Sequence, residues 1–219
     1  PSRKDWRVAK LGSPPAAQRL RGLHPDWATL RAGRDTLARI YCASGAHPVA
    51  RNAFRAWGPA HNARFDHHLP DASGAPCLPS PKVFYGAQRA ITCLAEVFQA
   101  TRVVNRVDDD PFVCVFSPVR DLKLLDLTGR FATRMGASLA IHSGPRGRAR
   151  AWARALYEAF DHDGLLYLSS MDAGAPAIAL NERAENAMPT APLSNQPLAD
   201  PLLTDLTDAL THRLGCLKR

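Results

Sequence analysis

The sequence lacks the short motifs that mark the commonest nucleotide-binding and hydrolytic sites. Its 219 residues contain no G-x-G-x-x-G, G-x-x-x-x-G-K-[ST], G-x-S-x-G or H-E-x-x-H pattern. These absences exclude the dinucleotide fingerprint, the P-loop, the nucleophile elbow and the helical zinc site as sources of an activity. Any chemistry must come from residues scattered along the chain.

Cysteine pairs and long apolar runs are also missing. The five cysteines are Cys42, Cys77, Cys93, Cys114 and Cys216. Their odd number, their scatter and the absence of a C-x-x-C pair predict reduced thiols in a cytoplasmic protein, and argue against a disulfide framework or a zinc knuckle. No apolar run approaches the 18 or so residues of a membrane span. The basic start of the chain has no hydrophobic stretch of the kind found in signal peptides.

Positive charge is abundant but spread out. The net charge of +8 and the pI of about 9.7 would attract nucleic acid, phosphorylated small molecules or an acidic protein. The densest run, "GPRGRARAWARAL" at 144–156, is interpreted as a solvated helix start and face. Nucleic-acid binding modules usually concentrate basic residues and interleave aromatics. A basic nucleic-acid-binding module is therefore kept only as an alternative.

The order of predicted elements indicates an α+β (mixed α/β) single domain around a central mixed β-sheet. Residues 1–36 are predicted to be a basic, Pro/Arg-rich extension with at most short helices, and the turn-rich stretch 47–81 is predicted to be mostly loop. Strands are predicted at 37–43, 82–87, 111–119, 122–128, 164–170 and 177–184. Helices are predicted at 87–98, 145–160 and 200–215.

Glu96 is the unusual residue of the first of these helices. Its position on the helical wheel lies opposite the centre of the apolar face, which is typical of a solvated surface glutamate. However, the neighbouring positions three and four residues away hold Thr92, Cys93, Gln99 and Ala100 rather than Lys or Arg. A lone acid among small, weakly polar side chains is also what a pocket wall would show. The pattern by itself leaves both interpretations open.

Other polar residues have ordinary structural explanations when each is taken singly. His61, His67 and His68 cluster near Asp66, but their spacing matches no closed zinc pattern, and we predict no metal site. Arg39, Arg64, Tyr85 and Ser169 could be a surface charge, a loop anchor, a core edge and a strand-end hydroxyl.

Taken in order, however, short segments of this chain resemble the RES-domain toxins, a family named for its Arg, Glu and Ser. The matching segments are "RIY" (39–41), "ARF" (63–65), "VFYGA" (83–87), "LAEVF" (94–98), "LLDLTG" (124–129), "GLLYLSS" (164–170) and "IALNERA" (178–184). The resemblance covers residues 37–214, which would form the RES-like domain. The loop between Arg64 and Tyr85 looks longer than is usual for the family, and Ile40 separates Arg39 from the aromatic Tyr41.

The resemblance implies a fold related to the ADP-ribosyltransferases and cleavage of NAD between nicotinamide and ribose, by phosphorolysis or hydrolysis. It implies Glu96, Arg64 and Ser169 as catalytic residues, and Arg39, Tyr41, Arg64, Tyr85 and Ser169 as substrate-binding residues. It also implies NAD as substrate rather than cofactor, inorganic phosphate as a second substrate, and a cognate Xre-type antitoxin that covers the active site. Transfer of ADP-ribose to a macromolecule would use the same residues and is a further alternative.

The chemistry of NAD gives the solitary carboxylate a reason. The glycosidic nitrogen is already cationic, so nicotinamide leaves as a neutral molecule and needs no general acid, unlike the leaving groups of ordinary glycosidases. One carboxylate, stabilising an oxocarbenium-like transition state, is then enough. Two arginines would suit the diphosphate of NAD because the guanidinium is planar and always charged.

Overall fold

Short strands and helices alternate along the chain in the computed structural model, which describes residues 11–69 and 81–219. The strands are β1 (Trp27–Leu30), β2 (Leu37–Cys42), β3 (Val83–Gly86), β4 (Val103–Val104), β5 (Pro111–Phe116), β6 (Leu122–Asp126), β7 (Gly164–Leu168), β8 (Pro176–Asn181), β9 (Ser194–Pro197) and β10 (Leu217–Lys218). The α-helices are α1 (Ala17–Arg21), α2 (Ala90–Val97), α3 (Phe131–Arg134), α4 (Arg146–Ala159) and α5 (Thr204–Leu214). Three short 3-10 helices lie at Leu139–Ile141, Glu182–Ala187 and Pro201–Leu203.

The central sheet has five strands in the order β1-β6-β7-β8-β3. The β6–β7 pair is parallel and the other pairs are antiparallel, so the sheet is mixed. A second, antiparallel sheet has the order β2-β5-β9. A small parallel pair joins β10, near the C-terminus, to β4, which follows α2 in the chain. The fold is an α+β domain built on a mixed sheet, as the order of elements predicted.

The two larger sheets meet where β2 passes β3. Ala38 and Ala87 exchange backbone hydrogen bonds of 2.7 and 3.0 Å across this junction. Gly86 permits the approach, because a Cβ atom at this position would lie 2.7 Å from the carbonyl oxygen of Ala38. The junction brings α2, which follows β3 directly, over β2: the Cys93 thiol lies 3.1 Å from the same Ala38 oxygen. The helix that carries Glu96 is therefore held at the junction of the sheets.

The core has one apolar cluster on each face of the central sheet. The larger cluster contains Leu94 of α2 and Trp152 of α4, and the smaller one contains Phe84 and Phe116. Along β7 the side chains alternate between them, which is the two-residue period of a strand with both faces covered. Complete burial of large side chains such as Trp152 is a main source of stability for a domain of this size.

The predicted strands and long helices are confirmed, with ends that shift by a few residues. The sequence did not predict β1, which pairs with β6 inside the central sheet, or the short strands β4, β9 and β10. Residues 11–36, predicted as an extension, therefore contribute a strand to the sheet, and Leu11 and Leu20 are buried in the core. Residues 47–69 contain no helix or strand beyond a single bridge at Arg55, in keeping with the predicted loop. The parts of these predictions at 1–10 and 70–80 fall outside the described residues.

Helices in the described ranges do not have the length and apolar character needed to cross a membrane.

Candidate active site

Glu96 lies at the last turn of α2, and it points toward other side chains rather than into open solvent. The preceding residues from Ile91 to Ala95 are all buried, and Glu96 itself is half-buried. The Ser169 hydroxyl, which follows β7, donates a hydrogen bond to Glu96 Oε1. The helical wheel left two interpretations open, and Glu96 is not a fully solvated surface residue, because α2 packs close enough to the end of β7 for Ser169 to reach it.

The orientation of the Ser169 hydroxyl is determined by the turn that follows it. Its oxygen accepts hydrogen bonds from the backbone N–H groups of Met171 at 3.1 Å and Asp172 at 3.0 Å. A hydroxyl has two acceptor positions and one hydrogen. Both acceptor positions are taken by the turn, so the hydrogen is directed to Glu96. Ser169 itself is almost completely buried, which keeps water from competing for these bonds.

Two arginines on different elements are electrostatic neighbours of the carboxylate. Arg64, in the loop before residue 70, donates to the carbonyl oxygen of Gly144. Arg146, at the first position of α4, donates to Gln99 Oε1 at 3.0 Å and to Asn62 O at 3.1 Å. Gln99 in turn donates to the backbone oxygen of Glu96 at 2.7 Å. The site thus combines one carboxylate with two guanidinium groups, an arrangement suited to an anionic ligand.

The ionisation of Glu96 reflects competing effects. Partial burial raises the pKa of this carboxyl group above its usual value, and the nearby charge of Asp172 adds to the rise. The hydrogen bond from Ser169 and the charges of Arg64 and Arg146 oppose it. Burial, followed by the charge of Arg146, lowers the pKa of Arg64, and Glu96 counteracts this shift. The carboxylate and its two cations therefore form one electrostatic unit.

Tyr85 supports the loop that carries Arg64. Its hydroxyl accepts a hydrogen bond from the Phe65 N–H at 3.0 Å and donates to Asp66 Oδ1 at 2.9 Å. Asp66 is fully buried, and Arg55 Nη2 donates to both of its carboxylate oxygens, at 2.7 and 2.8 Å. The Ala60 N–H also donates to Asp66, at 2.8 Å. This buried carboxylate closes the 55–66 loop upon itself.

Tyr85 is also an electrostatic neighbour of Arg64. Tyr85 and Tyr167 are electrostatic neighbours, and Tyr167 in turn neighbours Glu96 and Arg64. Burial raises the pKa of both tyrosines well above the usual value, so both hydroxyls stay protonated at neutral pH. The structure thus brings together four predicted residues, namely Glu96, Ser169, Arg64 and Tyr85.

Arg39 and Tyr41 lie on the opposite face of β2 from α2. Strand alternation places Ala38 and Ile40 in the larger apolar cluster, toward α2, and Leu37 in the smaller one. Arg39 is buried on that second face, with its guanidinium 4.2 Å from the centre of the Phe84 ring and 2.6 Å from the Ala53 oxygen.

Tyr41 is in a similar position. Its hydroxyl donates to Asn195 Oδ1 at 3.0 Å, and its ring stacks on Phe112. Burial lowers the pKa of Arg39 to about 10, so the group stays charged at neutral pH. Among the described residues, the side chains of Arg39 and Tyr41 contact the 51–53 segment, β3, β5 and β9 rather than Glu96.

His67 and His68, which follow Asp66 in the chain, contact neighbouring groups of the protein. Across the described ranges, no group of three or more His, Cys, Asp or Glu side chains could hold a metal ion. The Asp66 carboxylate forms an ion pair with Arg55, and His67 Nε2 lies 3.3 Å from Glu182 Oε2. This cluster serves to anchor the loop.

The sequence and the fold were compared with those of known proteins. A family model described as the RES domain matches residues 36–201, which is most of the chain. The chain belongs to the RES domain family. Its fold is similar to a chain in the crystal structure of the M. tuberculosis MbcT–MbcA toxin–antitoxin complex, with a TM-score of 0.53 and 19% identity over 88% of this chain and 96% of that chain. No curated protein matches the sequence.

In this RES domain, some site residues escaped the sequence analysis. Arg146 was assigned to a solvated helix start, yet it lies half-buried beside Glu96 and Arg64. Its position directly after Pro145 marks it as the first helical residue, but nothing in the sequence says which element that end faces. The sequence shows Asp66 beside the histidines without its role, and it gives no sign of Asp172, because a buried acid is recognised only by its partners.

Tyr85→Phe separates the ring of Tyr85 from its hydroxyl. We expect the variant to lose about 1–3 kcal/mol of unfolding free energy, because the Phe65 N–H and Asp66 each lose a buried partner. Denaturant unfolding measures this difference. The control is Tyr41→Phe, which removes one hydroxyl from the opposite face of β2 and should leave the 64–66 loop unchanged. Equal stability of Tyr85→Phe and the wild type would contradict the anchoring role.

Proposed function

We propose that this RES domain cleaves NAD between nicotinamide and ribose. The observation that carries the proposal is the half-buried Glu96 carboxylate, oriented by Ser169 and flanked by Arg64 and Arg146. Membership of the RES family supports it. The rest follows from what these groups can do for a substrate that combines a cationic nicotinamide with an anionic diphosphate.

Glu96 stabilises the positive charge that grows on the ribose as the glycosidic bond breaks. The electron pair of that bond goes to the nicotinamide nitrogen, so the leaving group is neutral and no proton donor is required. A carboxylate held in place by a buried hydroxyl needs no reorganisation at the moment of reaction. Ser169 acts in this scheme by keeping the carboxylate directed at the ribose.

Arg64 and Arg146 provide the binding site for the anionic part of the substrate. Arg64 donates to the Gly144 carbonyl oxygen through Nη1, and a guanidinium has five N–H donors in all. Guanidinium groups bind phosphate oxygens in pairs of hydrogen bonds. Water or inorganic phosphate would then take the place of nicotinamide at the ribose carbon, giving ADP-ribose or its 1-phosphate.

The deciding experiment is incubation of the purified protein with NAD, with and without inorganic phosphate, followed by analysis of products. Release of nicotinamide supports the proposal, and the accompanying product distinguishes hydrolysis from phosphorolysis. Label from adenine-labelled NAD that appears on a macromolecule would favour ADP-ribosyl transfer instead. Intact NAD under all conditions would overturn the proposal.

Glu96→Gln keeps the shape of the side chain and removes its charge. We expect NAD cleavage to fall by about 10²–10³-fold, the usual effect of removing one preorganised electrostatic group. The thermal midpoint should change little, because glutamine is a comparable helix former. Glu158→Gln on the exposed face of α4 is the matched control and should retain full activity. A fully active Glu96→Gln protein would remove Glu96 from the mechanism.

The pH dependence of cleavage tests the link between Glu96 and Arg64. The active form of Glu96 is ionised and its pKa is raised, so activity should be lost, as pH falls, at a higher pH than for an ordinary glutamate. Arg64 lowers this pKa, so Arg64→Gln should move the acid limb of kcat/KM further upward. Arg64→Lys keeps the charge and should leave the limb in place while KM rises, because the guanidinium fork is lost. Identical profiles for Arg64→Gln and Arg64→Lys would refute the electrostatic link.

We further propose that the protein acts in the cytoplasm as the toxin of a toxin–antitoxin pair, with an Xre-type antitoxin that covers the Glu96 site. The crystallised protein with a similar fold is part of a toxin–antitoxin complex, which supports a partner of this kind. The net charge of +8 favours an acidic contact surface on that partner.

Association with the antitoxin should therefore be fast at low ionic strength and should slow markedly as salt is added, because steering by opposite charges is screened. Stopped-flow association at several salt concentrations measures this effect. The dissociation rate should change much less and serves as the internal control. An association rate independent of salt would argue against an acidic contact surface.

A further inference from the structure

The buried carboxylate of Asp172 lies close to both Ser169 and Glu96. Its side chain has no solvent-accessible surface. Oδ2 accepts a hydrogen bond of 2.7 Å from the Thr92 hydroxyl on α2, one turn before Glu96. Oδ1 lies 2.9 Å from Arg213 Nη2, in an ion pair whose geometry is not that of a directed hydrogen bond. Asp172 thus connects the helix of Glu96 with a residue of α5.

The C-terminal end of α5 is held so that Arg213 reaches this carboxylate. Gly215 ends the helix with φ of 62°, a left-handed conformation that suits glycine. Arg102 donates to the Leu214 oxygen, and β10 pairs with β4 immediately afterwards. Leu210 packs into the larger core cluster. All of α5 follows residue 201, where the match to the family model ends.

Asp172 also determines where the Ser169 hydroxyl points. Its N–H donates to Ser169 Oγ at 3.0 Å, and the turn is closed by hydrogen bonds from Gly174 N–H to Ser169 O and from Ala175 N–H to Asp172 O. Ala173 and Gly174 both have positive φ, so the turn is tight. Because Asp172 supplies both the carboxylate that pairs with Arg213 and an N–H that binds Ser169 Oγ, a displacement of this residue is expected to alter the direction of the hydroxyl.

We propose that Arg213 is a positioning residue for the active site: by pairing with buried Asp172, it holds the 169–175 turn that presents the Ser169 hydroxyl to Glu96. The expected effect on activity rests on the proposed function, whereas the contacts of Arg213, Asp172 and Ser169 do not depend on it. Arg213 touches neither Glu96 nor Ser169 in the contacts of the described chain, and it acts through Asp172. The C-terminal helix thereby becomes part of the catalytic unit.

The charges around Glu96 give this inference a specific signature. Arg64 from the loop and Arg146 from α4 are the cations that face it, and Asp172 is the nearby anion. Among the described residues, its neutral polar neighbours include Ser169, Tyr167, Cys93 and Gln99. Removing Arg213 exposes Glu96 to the uncompensated charge of Asp172 and should raise the Glu96 pKa. Removing the Asp172 charge should lower it.

The experiment is a carbon-13 NMR titration of the Glu96 carboxyl group in the full chain, together with the pH profile of NAD cleavage. Arg213→Gln should shift the Glu96 titration to higher pH and reduce kcat by about tenfold, which is the lower end of the effect of removing groups that orient metal ligands. KM should change little, because Arg64 and Arg146 are untouched. Arg213→Lys should restore most of kcat, and Asp172→Asn should shift the titration to lower pH.

Arg219→Gln is the matched control, since it removes one positive charge from the same end of the chain at an exposed ion pair with Asp108. It should change neither the titration nor kcat. In the Asp172→Asn background, Arg213→Gln should have little further effect, because the two residues act as a pair. Opposite pKa shifts for Arg213→Gln and Asp172→Asn support the proposal. A general loss of structure would move both titrations in the same direction and overturn it, as would unchanged Glu96 titration and kcat in Arg213→Gln.

Failure of the proposed function would be recognised separately. If the wild-type protein leaves NAD intact, the activity measurement is void. The Glu96 titrations of Arg213→Gln, Asp172→Asn and Arg219→Gln still decide whether Arg213 and Asp172 control the pKa of this carboxyl group. If the wild type cleaves NAD and the titrations do not move, the proposed function stands and the positioning role of Arg213 is wrong.

Discussion

The hydroxyl of Ser169 has a single direction in which it can donate, and the candidate site depends on this constraint. Both of its acceptor positions are filled by N–H groups of its own turn, so its hydrogen is directed to Glu96. The end of β7 and the end of α2 must therefore be held within hydrogen-bonding distance. The junction of the two sheets at Ala38 and Gly86 provides this, because it holds α2 over β2.

Two buried carboxylates fix the conformations of the loop and the turn that carry other residues of the candidate site. Asp66 binds Arg55, Tyr85 and the Ala60 N–H and so shapes the loop that carries Arg64. Asp172 binds Thr92 and Arg213 and so shapes the turn that carries Ser169. A buried charge is costly unless it is paired and hydrogen-bonded, which makes the alternative loop conformations unfavourable. Each acid thus selects one arrangement of an otherwise irregular segment.

A site built in this way differs in kind from one built on a contiguous motif. Its carboxylate comes from a helix, its hydroxyl from a strand end, and its cations from a loop and a second helix. No two of these groups are adjacent in the chain, so their mutual distances depend on the packing of several elements. The proposed catalytic groups are therefore expected to depend on residues that lie far from them in sequence. Arg213, which we propose as one of these, lies outside the region matched by the family model.

The predicted strands and long helices could be identified from the sequence because they rest on local periodicity and on turn residues, which act over a few positions. The order of short segments from "RIY" to "IALNERA" predicted the RES family for a similar reason, since it needs only the linear order of residues. By contrast, β1 and β9 are short, and their pairing with distant strands could not be recognised locally.

Only the tertiary structure decided that Glu96 lies against Ser169 rather than in open solvent. It also decided that Arg146, predicted to be solvated at a helix start, is an electrostatic neighbour of Glu96. It also decided that Arg39 and Tyr41 lie on the far face of β2. The sequence determined the types of residues and their alternation along each strand. Which side of a strand faces which helix depends on contacts between residues far apart in the chain, and those contacts exist only once the two sheets have met.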